Sequence, residues 1–319
     1  MKKETILIIG ANGQIGSVLT QTLRNILGED QILATDIRPP SEASGPFEIL
    51  DVLDREQLSR LVSQYQVKQI YHLAAILSAR GEQNPKMAWD VNMNGLFNVL
   101  DLAREYQLKV FFPSSIAVFG SHTPSKNTPQ ETILQPETVY GISKVSGELW
   151  CQYYYNKYGV DVRSVRYPGI IGYQSMPGGG TTDYAVEIFH YAVQQKQYTC
   201  FLKSDAELPM LYMEDAIRAT IELMECPEEK ISVRTSYNIA GMSFTPEQLG
   251  AEIRKSIPGF KITYEPDFRQ GIADSWPGSI DDVVARNDWG WQPIFDLEKM
   301  TKDMIQQLGK KYRNETIFV

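Results

Sequence analysis

Thr5-Ile-Leu-Ile-Ile-Gly10-Ala-Asn-Gly13-Gln-Ile-Gly16 is an apolar run, short enough for a buried strand, that stops at three glycines spaced three apart. An amphipathic run follows, with Ile15, Val18, Leu19, Leu23 and Ile26 at helical spacing. Glycines at a strand-to-helix turn let the backbone approach a pyrophosphate. The helix N-terminus adds N–H donors and the positive end of its dipole. Strand before and helix after are the context that this motif requires. Asp36 lies twenty residues past Gly16, at the end of a second apolar run, Ile32-Leu33-Ala34. A carboxylate there accepts bonds from an adenine-ribose diol and repels a 2′-phosphate, so NAD is expected rather than NADP, with Arg38 nearby as the contrary signal.

The chain has 319 residues, enough to bury a large core in one large domain or two. It carries 31 basic and 39 acidic residues without a basic run, which argues against a nucleic-acid surface. No apolar run approaches the ~18–20 residues of a membrane span. The N-terminus passes straight into the first strand, so no leader is expected and a cytoplasmic setting is the default. Three widely spaced cysteines, Cys151, Cys200 and Cys226, fit a reducing compartment. The three histidines form no ligand-spaced pair with them, so no metal is expected.

Strand-like runs at 5–10, 31–35, 46–50, 69–74, 109–114 and 161–166 alternate with helical runs at 14–27, 54–65, 85–107 and 140–158. This alternation predicts an α/β fold, a doubly wound parallel (Rossmann) sheet, with the ligand beyond the carboxyl ends of its strands. Asp51 and Asp54 follow the third strand, and Ala74-Ala75 follow the fourth, at that edge. Asp54 also reads as a helix cap, and the alanines as tight packing. Tyr167-Pro168-Gly169 breaks the sixth strand, and beyond it the pattern loosens. The expected organisation is an NAD-binding domain over 1–167 and a smaller α/β C-terminal substrate lobe over 168–319, with about 213–240 returning in part to the first.

Tyr140-Gly-Ile-Ser-Lys144 opens the long helical run, so phenol and ammonium share one face. Tyr153 and Lys157 repeat the spacing in the helix body. Position separates the two copies, because Tyr140 begins its helix at the strand carboxyl ends. Ser115, twenty-five residues before Tyr140, ends the apolar strand Lys109-Val-Phe-Phe-Pro113, whereas Thr128, at the same interval before Tyr153, lies in a polar loop. A phenol titrates near ~10 and is a poor base at neutral pH. The Lys144 cation and an oxidised nicotinamide are expected to lower that value, so that Tyr140 takes a proton from a substrate alcohol. Ser115 would hold the alcohol oxygen, with Ser114 assisting; paired serines also serve plain turn chemistry.

This constellation resembles the extended short-chain dehydrogenase/reductase family, which includes sugar-nucleotide epimerases and dehydratases. Asn287-Asp-Trp-Gly290-Trp291-Gln-Pro293, followed by Leu297-Glu298, is similar to that family's usual ending. The resemblance implies NAD held by the turn residues Gly10, Asn12, Gly13, Gln14, Ile15 and Gly16, and by Asp36. It also implies contacts from Asp51, Val52, Leu73, Ala74, Ala75 and Asn92, and from Tyr140, Lys144 and Tyr167. The implied catalytic set is Ser115, Tyr140 and Lys144.

Ser115 is followed by Ile116-Ala117, without the acidic pair that dehydratases place there. Segment 168–235 carries only Arg218 and Arg234, few for clamping a nucleotide diphosphate. Tyr167-Pro-Gly-Ile-Ile-Gly172, Gly178-Gly-Gly-Thr-Thr-Asp-Tyr-Ala185 and Asp274-Ser-Trp-Pro277 resemble instead the threonine-oxidising branch of the family. That branch implies oxidation of the 3-hydroxyl of L-threonine, a small-molecule substrate, to 2-amino-3-oxobutanoate. Ser78, Gly180, Thr181 and Thr182, with Ser115 and Tyr140, would hold the amino acid, and Trp276 would wall the pocket. Each has a plainer reading as loop, cap or core. The alternatives are a UDP-sugar 4-epimerase with retained NAD and a non-enzymatic NAD(H) sensor. Helical runs 85–107 and 140–158 carry Trp89, Phe97, Trp150 and Tyr153, and in resembling proteins they pair across a dimer; a homodimer is expected.

Overall fold

The computed structural model describes residues 5–40 and 44–317, and divides them into two compact units. The first comprises residues up to 118 together with 138–166 and 217–237; the second comprises 119–137, 167–216 and those from 238 onward. Among the described residues no helix is long and apolar enough to cross a membrane.

The sheet of the first unit contains β1 (Thr5–Ile9), β2 (Ile32–Asp36), β3 (Phe47–Ile49), β4 (Val67–His72), β5 (Lys109–Ser115) and β6 (Val162–Tyr167). A short seventh strand, Tyr237–Asn238, joins at one edge. The spatial order is Tyr237–Asn238, β6, β5, β4, β1, β2, β3. Pairs β1–β2, β1–β4, β2–β3 and β4–β5 are parallel. β1 is central, so its run Leu7, Ile8 and Ile9 is buried on both faces, which is why it reads as continuous rather than alternating. The order reverses between β1 and β4, and both strands end there at the candidate site.

The helices that precede β6 are α1 (Gln14–Leu27), α2 (Arg55–Gln64), α3 (Ser78–Gln83), α4 (Pro85–Trp89), α5 (Gly95–Tyr106) and α6 (Val139–Tyr158), and most of a later helix, Met213–Glu225, belongs to the same unit. Asp54 is the cap that its position suggests, accepting the Gln57 N–H at 2.9 Å. Thr138 caps α6 by accepting the Gly141 N–H at 3.1 Å. The single helix expected over 85–107 is instead two, joined by a π-helical turn at Asp90–Asn94. The periodicity of 85–107 carries no sign of that extra residue per turn.

α6 lies closely on β5 because it has a glycine at the contact. A Cβ built on Gly147 would stand 2.5 Å from Phe112 Cζ and 3.3 Å from Leu96 Cδ2. Gly147→Ala is therefore expected to destabilise the fold by about 1–3 kcal/mol through overpacking, despite alanine's better helix propensity. Calorimetry checks this: a higher melting temperature would show that the contact relaxes freely.

The second unit holds a three-stranded sheet with Leu208–Tyr212 between Met242–Phe244 and Gly169–Ile171, and a parallel pair, Gln197–Cys200 with Lys261–Tyr264. Thr245-Pro246 starts a helix with both halves of a capping box formed, Gln248 N–H to Thr245 Oγ1 and Thr245 N–H to Gln248 Oε1. The C-terminal motif acts as a clasp. Gly290 adopts φ +78° to end the helix Val283–Trp289, and buried Trp291 donates its indole N–H to Asp282 at 3.0 Å.

Candidate active site

The β1–α1 turn leaves no room for side chains at two of its glycines. A Cβ on Gly16 would sit 2.1 Å from the Gly10 carbonyl oxygen, and one on Gly10 would sit 2.8 Å from the Ala74 nitrogen. Gly10 also has φ +88°, which L side chains rarely adopt. Gly13, the N-cap of α1, is less tightly held, its Cβ position being 3.2 Å from Gly10 O. The result is bare backbone at the N-terminus of a 14-residue helix, where Gln14 and Ile15 form the first turn. Such a cradle fits a diphosphate and excludes bulkier turn sequences.

Asp36 ends β2 and faces this turn, accepting the Asn12 N–H at 3.0 Å and the Arg38 N–H at 3.3 Å. The Asn12 side chain donates to Arg38 O at 2.7 Å, so loop and carboxylate are fixed together. A cleft of about 450 Å³ runs along this side, bordered by Asn12, Ala34, Arg38 and Phe47. After β3, Asp51 accepts the Leu53 N–H at 3.0 Å, and Val52 is buried where a Cβ on Gly95 would meet it. Leu73 donates its N–H to Ile9 O at 2.8 Å, which brings Ala74 against Gly10 and starts the segment through Ala75 beside the turn. Asn92 lies in the π-helical turn and is buried. Its amide bonds Ile76 in both directions, at 2.8 and 3.1 Å, and donates to Ser143 Oγ at 3.1 Å. It thereby ties the segment after β4 to α6.

At the end of β5 the Ser115 hydroxyl is hydrogen-bonded to the Tyr140 phenol. Ser115 Oγ also accepts the Ala117 N–H at 3.2 Å. Tyr140 is the second residue of α6, and Glu82 of α3 accepts the N–H of the first, Val139, at 2.8 Å. Lys144 is one turn further on and buried. Its ammonium donates to Pro113 O at 2.6 Å, stands 4.5 Å above the Phe112 ring and lies 5.5 Å from the Tyr140 ring centroid. The three residues expected to act together are thus assembled within one unit.

Their electrostatics differ from the sequence expectation. Burial pushes the Tyr140 phenol up to about 12, with the Ser115 hydrogen bond working the other way. Burial also brings the Lys144 ammonium down to about 8, opposed by Cys151 and Glu148. Burial outweighs whatever lowers the phenol here, and the Lys144 ammonium that could favour its ionised form is itself desolvated, donating to a carbonyl and lying over an aromatic face. Burial and the Lys144 charge together depress His72 to about 3, so this end residue of β4 is neutral at physiological pH.

Ser114, expected beside Ser115, turns elsewhere: its hydroxyl donates to Glu148 Oε1 at 2.5 Å. Ser78 is buried as the first residue of α3. Tyr167 is buried at the end of β6. In the second unit Gly179 and Gly180 donate their N–H groups to Asp183 Oδ2, each at 2.7 Å. Thr181 is fully buried, and its Oγ1 has no hydrogen-bond partner among the described residues. Thr182 lies against Gly169, and Trp276 is half-buried against that unit's core. The second Tyr–Lys pair is on the surface, Lys157 Nζ to Tyr153 Oη at 2.6 Å. Glu148, Arg166 and His72 were not singled out from the sequence; only the spacing 140, 144, 148 pointed to the first of them.

Comparison with known proteins bears on all of this. Residues 6–240 match the model of the NAD dependent epimerase/dehydratase family. An uncharacterized epimerase/dehydratase of Staphylococcus haemolyticus is 52% identical over 317 residues, covering 98% of this chain and 100% of that protein. The holo structure of a GalE-like L-threonine dehydrogenase from Cupriavidus necator superposes with a TM-score of 0.94 at 56% identity, over 95% of this chain and 99% of that one. An L-threonine dehydrogenase from Phytophthora infestans gives a TM-score of 0.95 at 52% identity, over 97% and 100%.

Proposed function

Since the chain belongs to the NAD dependent epimerase/dehydratase family, we propose that it is an NAD-dependent oxidoreductase that converts the 3-hydroxyl of L-threonine to the ketone of 2-amino-3-oxobutanoate. The observation that carries the reading is the Ser115–Tyr140 hydrogen bond, with Lys144 one turn away, in a chain more than 50% identical to two L-threonine dehydrogenases. When bound, NAD supplies the hydride acceptor and a positive charge. The Gly10–Gly16 turn holds its diphosphate and Asp36 its adenine ribose. Asp51, Val52, Leu73, Ala74, Ala75, Asn92 and Tyr167 are assigned further contacts. Ser115 orients the substrate hydroxyl, and Tyr140 Oη receives its proton.

Magnitudes say what the tyrosine needs. Ionising a phenol of pKa about 12 at neutral pH costs on the order of 7 kcal/mol. A cation ~4 Å away in a protein environment returns roughly 4 kcal/mol. One positive charge is therefore too little and two are of the right size, which gives Lys144 its part in the scheme. We assign Ser78, Gly180, Thr181 and Thr182 to binding the amino acid and Trp276 to walling it; the unpartnered Thr181 hydroxyl supports a polar ligand.

Asp36→Ala is expected to raise KM for NAD by about tenfold and to lower KM for NADP, since the variant no longer repels a 2′-phosphate and keeps Arg38. Steady-state kinetics with the two cofactors checks it, and unchanged preference would remove Asp36 from the ribose site. A UDP-sugar 4-epimerase would retain its cofactor through turnover, so accumulation of free NADH on adding threonine separates the readings. Trp89, Leu149, Trp150 and Tyr153 are part-exposed on α4 and α6, with Phe97 and Trp150 rings 4.9 Å apart. We read this apolar face as a homodimer contact in a soluble, cytoplasmic enzyme of threonine catabolism. Light scattering that gives a monomer at micromolar concentration would refute the dimer.

A further inference from the structure

Residues 140, 144 and 148 recur every fourth position and share one face of α6. Each grips the end of β5. The Tyr140 phenol bonds Ser115, Lys144 Nζ donates to Pro113 O at 2.6 Å, and Glu148 Oε1 accepts the Ser114 hydroxyl at 2.5 Å. Glu148 in turn receives both arms of Arg166 from β6, Nε to Oε1 at 2.9 Å and Nη2 to Oε2 at 2.7 Å. The two side chains are 1% and 3% exposed.

An ion pair buried this deeply is a poor device for stability alone. Desolvating two charges offsets most of their attraction, and well-packed apolar replacements are often as stable. Its geometry, by contrast, is narrow. The planar guanidinium fork fixes both carboxylate oxygens, which fixes Ser114 and hence its neighbour Ser115. We propose that Glu148, held by Arg166, is a positioning residue that sets the register of α6 on the end of β5, and so the placing of Tyr140 against Ser115 and of Lys144 against Pro113. The inference rests on the reading of Tyr140 as the proton acceptor; it adds what holds that acceptor in place.

Two variants test it. Glu148→Leu/Arg166→Met replaces the pair by apolar side chains and leaves neither of its two charges without the other, and Ser114→Ala removes one bond only. In the double variant kcat for threonine oxidation is expected to fall by about tenfold to a hundredfold, because small misplacements of reacting groups carry costs of that order. KM for NAD is expected to stay within about threefold, since the β1–α1 turn is untouched. Ser114→Ala is expected to lower kcat several-fold. A crystal structure of the double variant should show the Lys144–Pro113 or the Tyr140–Ser115 bond lost. A folded double variant with parental kcat, or with both bonds intact, overturns the proposal. If the double variant does not fold, parental kcat in Ser114→Ala overturns it. Absence of threonine oxidation in the parent protein would instead count against the proposed function, and the crystallographic comparison would still decide the register.

Discussion

Tyr140→Phe is expected to lower kcat for NAD-dependent threonine oxidation by roughly 10³-fold, near the middle of the range for loss of a general base. The substitution removes one oxygen and one hydrogen bond, to Ser115, while the ring and its neighbour Lys144 keep their places. NAD binding and melting temperature should therefore change little. The loss belongs in kcat rather than in KM for either substrate, because the proton is taken only as the reaction proceeds. The burial that pushes the phenol to about 12 makes the same point from another side. A tyrosine this hard to ionise contributes nothing as a base until positive charge arrives, so stopped-flow binding of NAD should be intact in the variant. A variant with parental kcat would remove Tyr140 from the chemistry.

Gly16→Ala is expected to weaken NAD binding by at least about a hundredfold, and to do so where Gly13→Ala has a smaller effect. The added carbon at position 16 would stand 2.1 Å from the Gly10 carbonyl oxygen, a backbone atom that moves only if the turn moves. At position 13 the corresponding separation is 3.2 Å, which a shift of a few tenths of an ångström relieves. Moving the turn withdraws the backbone from the diphosphate and tilts the start of α1. Titration of the protein with NADH, followed by fluorescence, measures both variants directly. Equal affinities for the two would mean that the tight turn has no part in holding the cofactor.

Much of this was legible in the residues, and the reasons are specific. The parallel sheet follows from Leu7–Ile9 and its counterparts, since central parallel strands are buried on both faces and read as unbroken apolar runs. Asp36 and the glycines were visible because their spacing is dictated by a turn with no spare volume. Strand and helix position alone separate Tyr140, Lys144 and Ser115 from the second pair Tyr153–Lys157, and the structure puts that second pair on the surface. What the pattern concealed arises from long-range contact. Ser114 looked like a helper of Ser115, but its partner Glu148 lies thirty-four residues away. The π-helical turn that presents Asn92 disturbs periodicity too briefly to register. The phenol's raised pKa depends on burial, which spacing does not report. The passage of 119–137 into the second unit likewise leaves no mark in composition.

The most direct test is to incubate the purified protein with NAD and L-threonine deuterated at its third carbon, and to examine the nucleotide released into solution. Free NADH carrying that deuterium, formed in step with threonine consumption, is the expected result. Release of no NADH, or of NADH without the label, would contradict it.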